Sequence, residues 1–223
     1  MIIDFHAHII PKADHGCDSA ETARSQLKLA NAAGVDTVVA TPHFYPHQQT
    51  VEQFLKSREQ GKKLLVSVWD DGFPKVLMGA EVLVCPGMEH MENIEQLCIE
   101  GSDHALLLEL PFENLNDEIW TTVFEIWEKS FTPVLAHLNR YPPDVVIQAE
   151  NFGIPIQLNA EAFQLIVHRK KWKRFAQTSN VVALGSDIHG ANENCYKAFS
   201  TAVHSLGQAA DEVMTKAKKI LSL

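Results

Sequence analysis

Two stretches decide the fold: Ile2-Ile3-Asp4-Phe5-His6-Ala7-His8 near the start of the chain and Val181-Val182-Ala183-Leu184-Gly185-Ser186-Asp187-Ile188-His189 near its end. Each is a short apolar run that stops on two metal-ligand side chains one residue apart. Side chains on an extended segment repeat every two residues, so His6 and His8 share one side and can share one ion. Asp187 and His189 repeat the arrangement with a carboxylate. In an open sheet the first and last strands lie far apart, whereas in a barrel they are neighbours, so the two runs point to a closed or nearly closed barrel.

Working outward, the same reading finds seven short strands, at residues 2–5, 36–41, 76–81, 105–109, 133–137, 154–159 and 181–185. Stretches of helical period separate them, the signature of repeated βα units on a parallel sheet. Helices are expected over 50–67, 115–130, 142–151, 161–178 and about 193–221, with a shorter one over 90–100. The first helix carries a capping box of Asp18 and Glu21, a stripe of Ala20, Ala23, Leu27 and Ala30, and a stop at Gly34. No linker or repeat divides residues 1–223, which read as a single domain. The glycine fingerprint of a dinucleotide fold is missing.

The residue at or just past each strand is telling. In order these are His6 and His8, His43, Glu81, Glu109, His137, then Asp187 and His189; only the strand at 154–159 ends without one. In a barrel all of them converge on one mouth. Imidazole and carboxylate without cysteine suit manganese, iron or zinc in a hydrolytic site better than a structural zinc. Asp4 is expected to accept an imidazole N–H behind the cluster.

Composition bounds the rest. With 223 residues, 46% of them apolar, the chain can bury one core, and its 11 histidines are about twice an ordinary share. A formal charge of -9 argues against broad binding to nucleic acid or anionic membrane. No apolar run reaches the roughly 20 residues of a bilayer crossing, and the opening residues lack a leader pattern, so a cytoplasmic protein is expected. Cys17, Cys85, Cys98 and Cys195 are scattered and read as reduced, mostly buried thiols. Cys17 and Arg24 are one residue too far apart for the loop of cysteine-dependent phosphatases. His47, His90, His104 and His204 fall away from the strand ends. The basic run His168–Arg174 reads as a solvated helix face with Trp172 turned inward.

Several motifs then line up. Asp4-Phe5-His6-Ala7-His8-Ile9-Ile10-Pro11 is followed by Asp14-His15-Gly16, Ala40-Thr41-Pro42-His43, Gly79-Ala80-Glu81, Leu108-Glu109-Leu110-Pro111-Phe112, Ala136-His137-Leu138-Asn139-Arg140-Tyr141 and Gly185-Ser186-Asp187-Ile188-His189. Nearly the whole chain thereby resembles the polymerase and histidinol phosphatase (PHP) superfamily, a distorted (β/α)7 TIM-like barrel with a trinuclear metal site. Within it the likeness is to the bacterial manganese-dependent protein-tyrosine phosphatases of capsule and exopolysaccharide synthesis. Three positions depart from that pattern: His15 stands where those phosphatases have the second Asp of D-D-G, Leu138-Asn139 replaces Pro-Glu, and Phe44 replaces a histidine that often follows T-P-H. The last two bear on substrate preference.

The resemblance implies a metal-dependent phosphoester hydrolase with ligands His6, His8, His15, His43, Glu81, Glu109, His137, Asp187 and His189. It also implies a phosphate clamp at Arg140, with Asp187 and His189 beside it in catalysis. Three divalent ions, manganese first and iron or zinc next, with one bridging hydroxide leave the three carboxylates with an excess of two positive charges, matched to a phosphate dianion. Two ions leave none. The implied chemistry is in-line attack by the hydroxide. The implied partner is a phosphotyrosine protein, such as a bacterial tyrosine kinase, or else a small phosphoester. Three alternatives stay open: a histidinol-phosphatase-like small-molecule phosphatase, an amidohydrolase-type enzyme, which the lack of a strand-end lysine disfavours, and a non-catalytic metal-binding module.

Overall fold

A computed structural model describes residues 1–177 and 180–223. Its strands are β1 (Ile3–Ala7), β2 (Thr37–Ala40), β3 (His43–Phe44), β4 (Lys75–Met78), β5 (Glu81–Leu83), β6 (Ala105–Glu109), β7 (Thr132–Leu135), β8 (Ile156–Asn159) and β9 (Val181–Gly185). The helices are α1 (Ala20–Ala32), α2 (Val51–Ser67), α3 (Asp117–Glu128), α4 (Pro143–Phe152), α5 (Ile166–Ala176), α6 (Glu193–Leu206) and α7 (Gln208–Ile220). All pairings are parallel, in two sheets ordered β1-β2-β4 and β3-β5-β6-β7-β8-β9.

The expected strands at 36–41 and 76–81 each run on past a bend, the first into β3 and the second into β5, so that each is divided between the two sheets. Pro42 lacks an N–H and interrupts the first of them; Gly79-Ala80 interrupts the second. The bends lie side by side. Gly79 N donates to Ala40 O at 2.8 Å and Glu81 N to Pro42 O at 3.1 Å, so backbone bonding continues around the corner. On the other seam, among the described residues, no strand ladder joins β1 to β9. Their ends are stitched instead by Asp187 N to His6 O at 2.8 Å, His8 N to Ile188 O at 3.2 Å and Ser186 N to Asp4 Oδ1 at 2.8 Å. The first and last strands are therefore neighbours in an α/β, distorted TIM-like barrel, as the opening stretches predict.

β1, β6 and β9 are buried along their whole length, because one side of each meets the helices and the other fills the interior. Phe44 is fully buried and meets Phe54 edge-on at 5.3 Å, docking α2 on β3. Burying such a ring contributes about 1.5–3 kcal/mol. Phe44 and the fully buried Leu138 are thus core residues.

Several boundaries differ from expectation. Ser19, not Asp18, caps α1 by accepting from Thr22 N at 3.1 Å, while Asp18 instead takes the Thr22 hydroxyl. The helix expected over 193–221 is two helices, broken at Gly207, whose φ of 59° ends α6. The stretch 161–178 starts as a 3-10 turn (Ala160–Phe163) before α5, and its expected end at 178 lies outside the described residues. The stretch 90–100 holds 3-10 turns at Met88–His90 and Ile94–Leu97 rather than a helix. Of the free cysteines only Cys17 is buried; the other three are partly exposed. Among the described residues no helix is long and apolar enough to cross a membrane.

Candidate metal centre

His6 leaves β1 on its interior side, and His8 follows two residues later. Their Nε2 atoms face each other at 3.0 Å, and both approach Glu81 Oε2 (3.3 and 3.2 Å) and Asp187 Oδ1 (3.5 and 3.2 Å). From the neighbouring strands, His43 brings Nδ1 to 2.9 Å from Glu81 Oε2 and 4.0 Å from Glu109 Oε2. His137 Nε2 lies 2.7 Å from Glu81 Oε1 and 3.4 Å from Glu109 Oε1. His189 closes the rim, its ring 4.1 Å from that of His8. His15 is exposed and reaches the cluster by its ring, nearly parallel to His43 at 5.0 Å and tilted to His189 at 4.9 Å.

Donor atoms fall into three groups whose members lie within 4.8 Å of one another: His6, His8 and Asp187; His8, His43 and His189; His43, Glu81 and Glu109. His8 and His43 each serve two groups. Among the described residues, His43 Nδ1 and Glu81 Oε2 are buried atoms without a hydrogen-bond partner, although they are 2.9 Å apart. Two unsatisfied buried donors aimed at common space fit a divalent cation, which is what imidazole and carboxylate oxygens bind.

Backbone strain helps to aim the ligands. His137 (φ 32°) and Asp187 (φ 50°) follow β7 and β9 in the left-handed region that ordinary residues avoid. The His137 N–H is held by Gln157 Oε1 at 2.6 Å, and the Asp187 N–H by His6 O. Close packing requires glycine at two places. A Cβ on Gly185 would sit 2.6 Å from both His6 Cβ and Gln157 Nε2, and one on Gly16 would collide with His8.

Behind the ligands stands a polar layer that the strand-end reading missed, because it comes from the one strand without a terminal ligand. Gln157 Oε1 also faces His6 Nδ1 at 3.3 Å, and its amide donates to Asn159 Oδ1 at 2.9 Å. Asn159 Nδ2 then donates to Asp187 Oδ2 at 2.9 Å, while its backbone N–H is taken by Asn139. Asp14 orients His8, lying 2.6 Å from Nδ1, and accepts the His43 N–H at 2.9 Å. The expected role of Asp4 is corrected. It takes no imidazole N–H; its oxygens accept from the Ser186 backbone and the Tyr196 hydroxyl, which locks β9 to β1. Asn and Gln at alternate positions of a strand carry no distinctive signal in sequence.

Charge follows from this packing. Burial alone would raise Glu81 and Asp187, yet both are held well below the usual carboxylate range, Glu81 by His6, His137 and His43 and Asp187 by His6, His8 and Arg140. Burial opposes protonation of His137, but Glu109 and Glu81 win and lift it to about 9. His189 goes the other way, to about 4, through burial and the charge of His8. Arg140, 37% exposed, pairs through Nε with Glu161 and through Nη1 with Asp187, each at 2.7 Å. A cavity lined by Arg140, Glu161, Gln164, Asp187 and His189 opens beside it. The four histidines set aside on sequence, His47, His90, His104 and His204, are all exposed.

Residues 2–220 match the sequence profile of the family described as capsular polysaccharide synthesis, CpsB/CapC. The chain belongs to this family. Among relatives, the tyrosine-protein phosphatase CpsB of Streptococcus pneumoniae is 31% identical over 147 residues, 63% of this chain and 58% of that protein. The tyrosine-protein phosphatase YwqE of Bacillus subtilis is 27% identical over 142 residues, 62% of this chain and 55% of that protein. The matched stretch thus spans less than two thirds of either relative's length. A solved structure from work on YwqE and CpsB as metal-dependent tyrosine phosphatases shares the CpsB/CapC fold seen here, with a TM-score of 0.77 and 20% identity, over 99% of this chain and 94% of that one.

Proposed function

We propose that this chain is a phosphoester hydrolase that removes phosphate from tyrosine in a protein, at a site of three divalent ions. The observation that supports it most is the convergence of ligand atoms into three overlapping groups, with His43 Nδ1 and Glu81 Oε2 buried and unsatisfied. In this reading His6, His8, His43, Glu81, Glu109, His137, Asp187 and His189 hold the ions, with His15 completing the rim, and manganese is the first choice. Divalent ions there supply a water acidified to near neutrality and a positive field for phosphoryl oxygens.

The chain's own groups do the rest. Arg140 stands over Asp187 with Nε and Nη1 already tied to carboxylates, leaving the Nη2 edge to bond a phosphoryl oxygen. Asn159 and Arg140 together fix the Asp187 carboxylate. His189, held at about 4, is unprotonated at neutral pH, the form that ligates a cation or accepts a proton. Gln157 holds His137 and faces His6, which keeps both rings in place. An aryl substrate is favoured by Phe112. It is 61% exposed at the rim and lies parallel to His137 at 5.9 Å and to Tyr141 at 4.9 Å. A flat apolar face beside a charged site suits a phenyl ring. The relatives named as tyrosine phosphatases support the same substrate class.

The test is turnover of para-nitrophenyl phosphate and of a phosphotyrosyl peptide by protein loaded with manganese, by a chelated sample and by His6→Ala. Turnover of both substrates in the loaded protein alone is expected. Absence of metal-dependent turnover on either would overturn the proposal.

A further inference from the structure

Charge is sharply segregated along this chain. Residues 164–177 hold Arg169, Lys170, Lys171, Lys173 and Arg174 and no acidic residue, in a protein whose formal charge is -9. The helix that carries them, α5, is entered through Leu165, Ile166 and Val167, which are 60, 77 and 80% exposed. Its other side is pinned by buried Trp172 and Ala176. At 3.6 residues per turn Ile166, Lys170 and Arg174 line up four apart, with Val167 and Lys171 beside them. One solvent face therefore carries aliphatics in its first turn and cations beyond. Among the described residues no carboxylate pairs with Lys170, Lys173 or Arg174, and Lys171 lies 4.5 Å over the Trp172 ring.

We propose that this face, residues 165–174, is a peripheral docking surface for an anionic phospholipid membrane. Cations alone would fit an acidic peptide, but that leaves three consecutive aliphatics in water. A lipid surface answers both, taking the aliphatics at the acyl boundary and the cations at the headgroups. The net negative charge of the whole chain does not oppose this. Screening confines the attraction to about 10 Å, so the local patch decides, and repulsion of the acidic remainder orients the molecule. Gln164, one residue before the patch, lines the cavity with Arg140, Asp187 and His189, so docking holds the mouth of the site beside the lipid.

The full chain is tested by flotation with vesicles of phosphatidylcholine, with and without phosphatidylserine. Binding to the phosphatidylserine vesicles is expected, with little to the neutral ones. Lys170→Gln with Arg174→Gln should weaken it about thirtyfold, taking each cation at its usual worth near an anionic surface. Ile166→Ser with Val167→Ser should also release the protein, and neither pair should alter turnover of para-nitrophenyl phosphate. No binding to either vesicle, or binding that both variants retain, overturns the proposal. A dimer in sedimentation velocity that Ile166→Ser dissolves, without vesicle binding, would assign the face to a second copy. A raised KM for an acidic phosphotyrosyl peptide in the Lys170/Arg174 variant, again without vesicle binding, would assign it to the peptide. The readout is binding, so it stands whether or not the proposed activity does.

Discussion

Replacing Gln157 by leucine separates the ligands from the layer that holds them. The side chains are close in size and Gln157 is fully buried, so little shape changes. What is lost is one oxygen that accepts the His137 N–H at 2.6 Å and faces His6 Nδ1 at 3.3 Å, and one amide that donates to Asn159. A buried N–H left unpaired costs about 2 kcal/mol, which for a chain of this size is roughly 4–8 °C in Tm. Two histidines also lose their orienting partner, for which a fall of about 10- to 100-fold in metal affinity is expected. Calorimetric manganese titration and urea unfolding measure the two effects separately. Leu158→Met, at a buried position on the opposite side of β8, controls for repacking and should cost less than about 1.5 kcal/mol. If Gln157→Leu keeps both its unfolding midpoint and its manganese affinity, Gln157 does not organise the site and the reasoning is refuted.

Arg140→Ala should lower kcat/KM about a hundredfold, the usual effect of deleting one donor to developing charge, with a small stability change because the side chain is partly exposed; steady-state kinetics and a melting curve check both. Phe112→Ala should raise KM for aryl phosphates about 2- to 10-fold through lost ring stacking and leave alkyl phosphates unchanged, as paired kinetics will show. Burial, with Glu95 nearby, pushes the Cys98 thiol up to about 12, above its value in the unfolded chain. Its stabilising contribution is therefore whole below the unfolded value near 9 and is lost as pH rises toward 12; thiol labelling at pH 9 should mark Cys98 slowly in folded protein and fast in urea.

Much of the barrel was legible because parallel strands buried on both sides read as short apolar runs, and because ligands at strand ends recur at the same point of each unit. The bends were not, since Pro42 and Gly79 act through register with each other across two strands, which no single segment displays. The strand-end residues from His6 to His189 come together, yet the partners that aim them are a mixed group. Asp14 lay inside a motif but showed its role only through its contacts with His8 and His43. Gln157 and Asn159 are common polar residues whose function depends on facing inward. Asp4 was misread because its neighbours across the seam, Ser186 and Tyr196, are over 180 residues away in the chain. Gly207 breaks the last helix by its positive φ, and a lone glycine in an amphipathic stretch does not announce that.

Counting metal in the active protein tests the central claim most directly. Elemental analysis of the full chain after manganese loading and desalting, with phosphotyrosyl-peptide turnover measured on the same sample, should give three ions per chain and activity that rises with occupancy. Glu81→Gln, at the point where His6, His8, His43 and His137 all converge, should lose both together. A loaded protein that turns over the peptide with no retained metal, or a Glu81→Gln variant with full metal and full activity, would contradict it.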